Sequence, residues 1–272
     1  RYIKSLKDDY YKLKNVPEDF YREYKAGAGL KDLSYKAVDV VISSLGMSDL
    51  MAEKTESLIS DPGNLRVRLI DKTRNRDYLK GIPVKDAGCG FVFIADIEED
   101  EYRVVVTDDL LKKMNMSKDE LFDEAFRNTV ESCPAVLCDL YKSAACLTGM
   151  SGNLLETTAK RMQTDSGPGF VLTNSRCYWG AGALFYPGVI ERIHELLDSD
   201  FYVLPSSVHE LILIRVEGQD PEQLASVIRE ANRTVVDEWE ILANDLYICK
   251  SGSLRRVSYG GVVPPDHKNL PS

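Results

Sequence analysis

The chain has 272 residues, of which 44% are hydrophobic and 28% are charged, and its formal net charge is −9. This composition is that of a globular protein and excludes a wholly disordered or fibrous chain. The acidic excess repels phosphate backbones and so disfavours general nucleic-acid binding. Because no apolar run approaches the roughly 18 residues of a membrane-spanning helix, we expect no membrane insertion and a cytoplasmic location.

Six cysteines are spread along the chain without a CxxC pair or a standard zinc-ligand spacing. Free, mostly buried thiols in a reducing cytosol are the favoured interpretation. A disulfide or a metal role is the alternative. The sequence also lacks a dinucleotide-binding fingerprint and a Walker lysine pattern. We therefore predict no metal and no cofactor.

The hydrophobic pattern predicts an α+β protein with five regions along the chain. They are a helical N-terminal segment, 1–60; a first small α/β lobe, 61–150; a connector, 151–168; a C-terminal lobe, 169–252; and a loose tail, 253–272. The tail is assigned from its glycines, its prolines and its few apolar anchors.

The first lobe is predicted to contain three strands and a helix. Leu65–Ile70 alternates like a half-buried strand, and the apolar runs Gly90–Ala95 and Tyr102–Val106 indicate two more strands. The acidic stretch Glu98–Glu101 between these runs suits an exposed hairpin. A capping-box pattern at Ser117–Glu120 predicts the start of the helix.

The C-terminal lobe has the clearest pattern, β-α-β-β-α-β. Its elements are predicted at Phe170–Thr173, Ala181–Leu197, Phe201–Leu204, Leu211–Val216, Pro221–Asn232 and Asp245–Cys249. The second helix is marked by Asp220 as N-cap and by Pro221 at the first helical position. This order is the split βαβ arrangement of ferredoxin-like folds.

A small polar segment lies between the second and third strands of this lobe, and its polar residues are Ser206, Ser207, His209 and Glu210. A nucleophilic triad needs a hydroxyl, an imidazole and a carboxylate in series. In an extended chain, however, Ser207 and His209 share one face while Ser206 and Glu210 share the other. A triad would therefore need an acid from another segment. A strand-joining turn is the favoured interpretation, and ligand binding and catalysis are the alternatives.

Asn174, Tyr186 and His209 are the candidates for ligand contacts. Asn174 ends the first strand of the lobe, and Tyr186 follows Gly180 and Gly182, small residues that permit a close approach of the backbone. A helix N-terminus at this place would favour an anion. Tight helix packing is the alternative explanation for the glycines, and it is the favoured one.

Four motifs of the chain are Leu172-Thr-Asn174, Leu184-Phe-Tyr-Pro-Gly-Val189, Leu204-Pro-Ser-Ser-Val-His-Glu210 and Leu242-Ala-Asn-Asp-Leu-Tyr247. They resemble an uncharacterised domain family found mainly in Gram-positive anaerobic bacteria of the gut. The resemblance covers most of the chain, and the third motif is its most specific part. It implies a bacterial, intracellular protein with this domain layout, and it supplies no catalytic residue.

The sequence therefore favours a non-catalytic binding or regulatory module that acts on an unknown protein partner or a small ligand. The alternative is a hydrolase-type enzyme with a site around Ser206, Ser207, His209 and Glu210. An enzyme requires a pocket there, with a second acid or oxyanion donors from another segment. A binding module requires only a filled turn and an exposed apolar patch elsewhere.

Overall fold

The structure is a computed structural model, and it describes residues 59–99, 102–143, 152–158 and 169–258. The chain divides into two compact units, Arg1–Asp61 and Pro62–Ser272. All helices and strands with described bounds belong to the second unit. The helices predicted within residues 1–60 lie outside the described residues.

A four-stranded antiparallel sheet is built around its longest strand. Its strands are β1, Leu65–Asp71; β2, Lys85–Gly88; β3, Phe91–Glu99; and β4, Tyr102–Val105. β1 runs along one side of β3, while β2 and β4 share the other side. The three predicted strands are confirmed, and β2 is an addition. Glu98, which was predicted in an exposed connector, belongs instead to β3, and its side chain is only 11% exposed.

Two helices follow this sheet: α1, Asp108–Lys113, and α2, Lys118–Ser132. The predicted capping box opens α2, because Ser117 and Glu120 exchange side-chain-to-backbone hydrogen bonds. The buried face of α2, which packs against β1, consists of Leu121, Phe122 and Ala125. Thr129 extends this face, and its Oγ1 accepts a hydrogen bond from the Val67 N–H at 2.9 Å. This bond ties α2 to β1.

A six-stranded antiparallel sheet contains the remaining described strands. They are β5, Ala135–Asp139; β6, Phe170–Asn174; β7, Phe201–Pro205; β8, Leu211–Arg215; β9, Tyr247–Lys250; and β10, Ser253–Arg256. The helix α3, Val189–Leu197, lies between β6 and β7, and α4, Pro221–Thr234, lies between β8 and β9. In the described part of the chain, no helix has the length and apolar character needed to cross a membrane.

The α+β class and the β-α-β-β-α-β order are confirmed by the succession β6-α3-β7-β8-α4-β9. β8 lies between β6 and β7, and β7 lies between β8 and β9, so each βαβ unit is split by one antiparallel strand. In a ferredoxin-like sheet the fourth strand pairs with the first, whereas here β9 pairs with β7. The strand order therefore differs from the ferredoxin-like one at this position.

Two strands from outside the predicted lobe extend the six-stranded sheet at its edges. β5 comes from the range assigned to the first lobe and pairs with β6, and β10 pairs with β9. The prediction of a loose tail is therefore wrong for residues 253–256. At the free edge of β5, the Asn153 side-chain amide accepts from the Leu137 N–H and donates to the Ala135 carbonyl, both at 2.9 Å.

The helix predicted over Ala181–Leu197 is divided in two. Gly180–Phe185 forms a 3-10 helix, and α3 begins only at Val189. Between them, Pro187 lacks a backbone N–H and Gly188 adopts a left-handed conformation with φ of 77°. These two residues end one helix and redirect the chain into the next.

Five cysteines lie within the described residues. Cys89, Cys133, Cys177 and Cys249 are free. Cys138 forms a disulfide, so the expectation of free thiols is wrong for this residue.

An apolar core joins the two sheets. Phe91 of β3 packs against Tyr247 of β9 with ring centroids 5.0 Å apart, and Phe93 packs against Phe185 at 5.6 Å. The opposite face of the six-stranded sheet is covered by α4, in a cluster that contains Tyr202, Leu204, Ala225, Ile228 and Leu246. The two sheets therefore form one packed body, in which residues of both can build a common site.

Gly180 lies where the 3-10 helix approaches β6, and we predict that it tolerates no side chain. A Cβ atom there would lie 2.3 Å from Thr173 Oγ1, 2.6 Å from Asn174 N and 2.7 Å from His209 O. Because two of these are backbone atoms of fixed segments, Gly180→Ala should lower the free energy of unfolding by about 3 kcal/mol or more. Urea denaturation measures this change.

Gly152→Ala is the matched control for this experiment. Gly152 is exposed, and a Cβ there would have no atom within 4 Å. The free energy of unfolding of the Gly152→Ala variant should equal that of the parent protein. If Gly180→Ala were as stable as Gly152→Ala, the close packing at Gly180 would be refuted.

Candidate ligand-binding site

The segment Ser206–Glu210, named the polar turn, joins β7 to β8. The Ser207 N–H donates to the Glu210 carbonyl at 3.2 Å. Ser206 Oγ donates to Glu210 Oε1 at 3.2 Å, and Ser207 Oγ accepts from the His209 N–H at 3.0 Å. Both serine hydroxyls and the Glu210 carboxylate are therefore engaged within the turn itself.

The imidazole of His209 is bonded through both of its nitrogens. Nδ1 accepts a hydrogen bond from the backbone N–H of Trp179 at 3.1 Å, and Nε2 lies 3.3 Å from Glu240 Oε1. Because an accepting Nδ1 carries no proton, the ring proton is on Nε2 and is donated to Glu240. Glu240 is thus an acid from another segment, as a triad would require. The opposite nitrogen, however, faces an N–H, and no serine hydroxyl within the described residues bonds to this ring.

Hydrogen bonds fix the polar turn to three neighbouring segments. The Val208 N–H donates to the Glu240 carbonyl at 2.8 Å, and the Ala181 N–H donates to the Val208 carbonyl at 3.2 Å. Thr173 Oγ1, in β6, donates to the His209 carbonyl at 2.8 Å. The position of the His209 ring is therefore determined by the surrounding fold as well as by the turn.

Asn174 organises the aromatic loop, residues 175–179. Its Oδ1 accepts from the N–H groups of Arg176 and Tyr178 at 3.0 and 3.4 Å, and its Nδ2 donates to the Tyr178 carbonyl at 2.9 Å. Tyr186 is buried, and burial raises the pKa of its hydroxyl. Of these two predicted ligand contacts, Asn174 is thus engaged in shaping the loop, and Tyr186 is part of the buried core.

The aromatic loop has a strained backbone. Cys177 and Trp179 both adopt left-handed conformations, with φ of 52° and 54°. Such a conformation costs a residue with a side chain about 1–3 kcal/mol and occurs preferentially at binding and active sites. The bonds to His209 and Asn174 maintain the loop in spite of this cost.

Tyr178 and Trp179 lie against two arginines of the four-stranded sheet. The Tyr178 ring stacks on the His209 ring at an interplanar angle of 20°, with centroids 5.0 Å apart. The Arg103 guanidinium lies 4.7 Å from the Tyr178 centroid, and the Arg68 guanidinium lies 4.7 Å from the Trp179 centroid. These are cation–π distances. His209 therefore positions two aromatic rings over Arg68 and Arg103.

The two arginines belong to a cleft, named the arginine cleft, whose charged lining residues are Arg66, Arg68, Asp96, Glu98, Arg103 and Arg176. Arg68 Nε lies 2.6 Å from Asp96 Oδ2. Glu98 pairs with Arg103 and, at 2.9 Å, with Arg176 Nη1. The guanidiniums of Arg68, Arg103 and Arg176 thus face two carboxylates, in a protein whose net charge is −9. This excess of positive charge favours a ligand with an anionic group.

Asp96 is the most deeply buried carboxylate of the arginine cleft, with a side chain that is 3% exposed. Burial raises the pKa of its carboxyl, and the neighbouring Arg68 and Arg103 oppose this rise. Burial also lowers the pKa of Arg103, against the attraction of Asp96. Charges held in such a poorly solvated place interact more strongly with a ligand than they would in water.

Buried polar atoms of the cleft lining that have no hydrogen-bond partner in the described part of the chain include Asp96 Oδ1, Arg103 Nη1 and Trp179 Nε1. Arg68 Nε also makes no hydrogen bond, but it is ion-paired with Asp96 Oδ2 at 2.6 Å. Each unmade hydrogen bond of a buried group costs about 1–3 kcal/mol. The cleft opens to solvent, and its enclosed volume of about 20 Å³ has room for about one water molecule. These donors and this acceptor can therefore serve a water molecule or a polar group of similar size.

Sequence reasoning missed the arginine cleft because its charges alternate with apolar residues along β1 and β3. That pattern indicates a strand with one solvated face. The strand register places Arg66 opposite Asp96 and Arg103 opposite Glu98, so the charges of three strands meet on one face. The signal would have become readable only once the pairing of β1, β3 and β4 was known.

The chain matches the Family of unknown function (DUF5688) over residues 13–251. It belongs to this family, which confirms the resemblance to an uncharacterised family. Comparison with curated proteins and with solved structures gives no match. Among the described residues, no three histidine, cysteine or acidic side chains cluster closely enough to bind a metal ion.

The hydrogen bond between His209 and Trp179 can be tested by replacing the imidazole. His209→Ala removes the acceptor of the Trp179 N–H and should lower the free energy of unfolding by about 1–2 kcal/mol. In a Trp239→Phe background Trp179 is the only tryptophan, so its emission should shift to longer wavelength as the aromatic loop loosens. Denaturation and fluorescence spectra measure the two effects.

His209→Asn is the control, because its carboxamide oxygen can accept in place of Nδ1. This variant should retain most of the stability and the emission wavelength of the parent. If His209→Ala had the same free energy of unfolding and the same emission wavelength as the parent, the hydrogen bond between His209 and Trp179 would not be what fixes the aromatic loop.

Proposed function

We propose that this member of the family binds a small polar molecule in the arginine cleft without transforming it. The observation that carries this proposal is that three residues lining one cleft, Asp96, Arg103 and Trp179, each have a buried polar atom without a hydrogen-bond partner in the described part of the chain. A bound molecule with complementary groups would satisfy all three. The strained aromatic loop that carries Trp179 is a second feature typical of a ligand site.

Binding is favoured over catalysis because the groups of the polar turn are already engaged. For Ser207 to act as a nucleophile, its hydroxyl would have to leave the His209 N–H and reach the imidazole. For His209 to act as its base through Nδ1, the ring would have to release the Trp179 N–H. The first change would open the polar turn and the second would release the aromatic loop, which supports a positioning role for His209.

A protein partner is the second candidate, and exposed aromatic residues favour it. Trp239 is 64% exposed and Tyr178 is 44% exposed, and both rings pack against His209. Large exposed aromatics are frequent in protein interfaces. Because Trp239 does not line the arginine cleft, a macromolecule on this surface and a small molecule in the cleft would perturb different tryptophans.

The two tryptophans of the chain provide the test, because only Trp179 lines the cleft. In ¹H–¹⁵N spectra, each indole N–H gives one signal. Titration with acetate, glycolate, glycine and inorganic phosphate should displace the Trp179 signal in a saturable way for at least one of them. The Trp239 signal should stay in place and thus serves as an internal control.

Arg103→Gln should weaken this binding at least about tenfold, because it removes a charge-assisted donor of the cleft. Arg233→Gln is the matched control: Arg233 is 71% exposed at its side chain and pairs only along its own helix with Glu230. If none of the four probes moved the Trp179 signal, or if Arg103→Gln bound as the parent does, the proposed function would be refuted. Circular dichroism establishes beforehand that both variants are folded.

A further inference from the structure

The imidazole of His209 can accept the hydrogen bond that fixes the aromatic loop in only one of its two charge states. Histidine is the side chain whose charge ordinarily changes between about pH 5 and pH 8. We infer that His209 is a pH-sensitive switch: the neutral ring fixes the aromatic loop, and the positively charged ring releases Trp179. The switch operates without a ligand and goes beyond the proposed function.

The switch follows from the protons on the two ring nitrogens. In the neutral ring, Nδ1 accepts from the Trp179 N–H at 3.1 Å, and the proton on Nε2 is directed at Glu240 Oε1, 3.3 Å away. In the charged ring both nitrogens are donors. The Nδ1–H group would then point at the Trp179 N–H, and the two donors would repel each other. Turning the ring over does not restore an acceptor, because Nε2 also carries a proton.

Trp179, and not His209, is the partner that moves when the two donors meet. The backbone of His209 is fixed on both sides, because its N–H donates to Ser207 Oγ at 3.0 Å and its carbonyl accepts from Thr173 Oγ1 at 2.8 Å. Trp179, in contrast, has a left-handed backbone with φ of 54°. This conformation is unfavourable for a residue with a side chain, so its relaxation adds to the repulsion in favour of release.

Charged groups on several elements surround the ring. They are Glu210 of the polar turn; Arg176, Cys177 and Tyr178 of the aromatic loop; Asp237, Glu238 and Glu240 of the segment that contains Trp239; and Arg68 and Arg103 of the four-stranded sheet. Glu240 attracts a positive charge on the ring, whereas the two arginines behind the aromatic rings repel it. These groups set the pH at which the ring becomes charged, but none of them gives Nδ1 an acceptor lone pair again.

The release of Trp179 alters the arginine cleft, because this residue lines it. The Trp179 ring would leave the Arg68 guanidinium, which now lies 4.7 Å from its centroid. The bonds from Asn174 to Arg176 and Tyr178 do not involve His209 and would remain. Binding in the cleft should therefore depend on pH. This consequence rests on the proposed function, whereas the switch itself does not.

The test lowers the pH from about 8 to about 5 in the ligand-free protein. In a Trp239→Phe background, the emission of Trp179 should shift to longer wavelength in one reversible transition. In ¹H–¹⁵N spectra, the backbone amide signal of Trp179 should move over the same pH range, as expected for an N–H that loses its acceptor. The ring nitrogen signals of His209 should show that Nδ1 gains its proton in that range.

Two variants provide the controls. In His209→Asn the carboxamide oxygen can accept from Trp179 but does not titrate, so the transition should be absent. His194→Gln is the matched control, because His194 lies on α3 and its Nε2 also accepts from a backbone N–H, that of Gly252 at 3.3 Å. This variant should show the same transition as the parent protein. Circular dichroism at both ends of the pH range establishes that each protein stays folded.

Two results would overturn the inference. One is a Trp179 signal that stays constant in the parent protein while the His209 ring gains its second proton, or a ring that gains none in this pH range. The other is a transition that persists in His209→Asn, which would assign it to another group, such as the buried Asp96 of the cleft. Because no ligand is present, either result leaves the proposed function to its own test.

Discussion

The hydrogen bond from the Trp179 N–H to His209 Nδ1 connects two parts of the molecule that otherwise have separate origins. The polar turn is produced by β7 and β8, and the aromatic loop leaves the end of β6. The arginines beneath the loop come from the other sheet. Because the bond fixes the loop against the turn, it also fixes Tyr178 and Trp179 over Arg103 and Arg68. The polar turn thereby acquires a structural meaning, which is to position the neighbouring aromatic loop.

The electrostatics of the cleft fit the proposed binding better than a purely stabilising role. Asp96 is almost completely buried, and burial opposes its ionisation even though two arginines attract its charge. A well-packed apolar group of similar volume would usually stabilise a fold as well as such a buried charge network does. The network does, however, provide strong, directional donors and an acceptor in a poorly solvated place. Those properties are the ones that the proposed binding of a polar ligand requires.

The parts of the fold that were predicted correctly are those encoded locally. The capping box at Ser117 and Glu120 and the apolar runs of β7 and β8 depend on neighbours in sequence. β10 was missed because Leu254 is the only apolar residue among its four. Its turn, Ser251-Gly252, nevertheless has two positive φ values, as a two-residue hairpin requires. The pairing with β9, not the composition of β10, makes it a strand.

The candidate site could be predicted only in part, for the same reason. His209 stood out because a polar segment interrupts two apolar strands, yet its partners Trp179 and Glu240 are 30 and 31 residues away in sequence. The charges of the cleft are distributed over β1, β3, β4 and the aromatic loop. Each charge alone is typical of a solvated strand face. Their convergence depends on the strand register and on the packing of two sheets, neither of which is encoded in a local pattern.

The two edges of the six-stranded sheet have a consequence for how the protein behaves at high concentration. An open edge strand presents unpaired N–H and carbonyl groups on which strands of other molecules can assemble. At β5, the Asn153 amide occupies the groups of Ala135 and Leu137 that a foreign strand would use. At β10, the exposed Arg255 and Arg256 place positive charges along the opposite edge. In the described part of the chain, both edges of this sheet are therefore protected against edge-to-edge aggregation, one by a side chain that imitates a strand and one by charge repulsion.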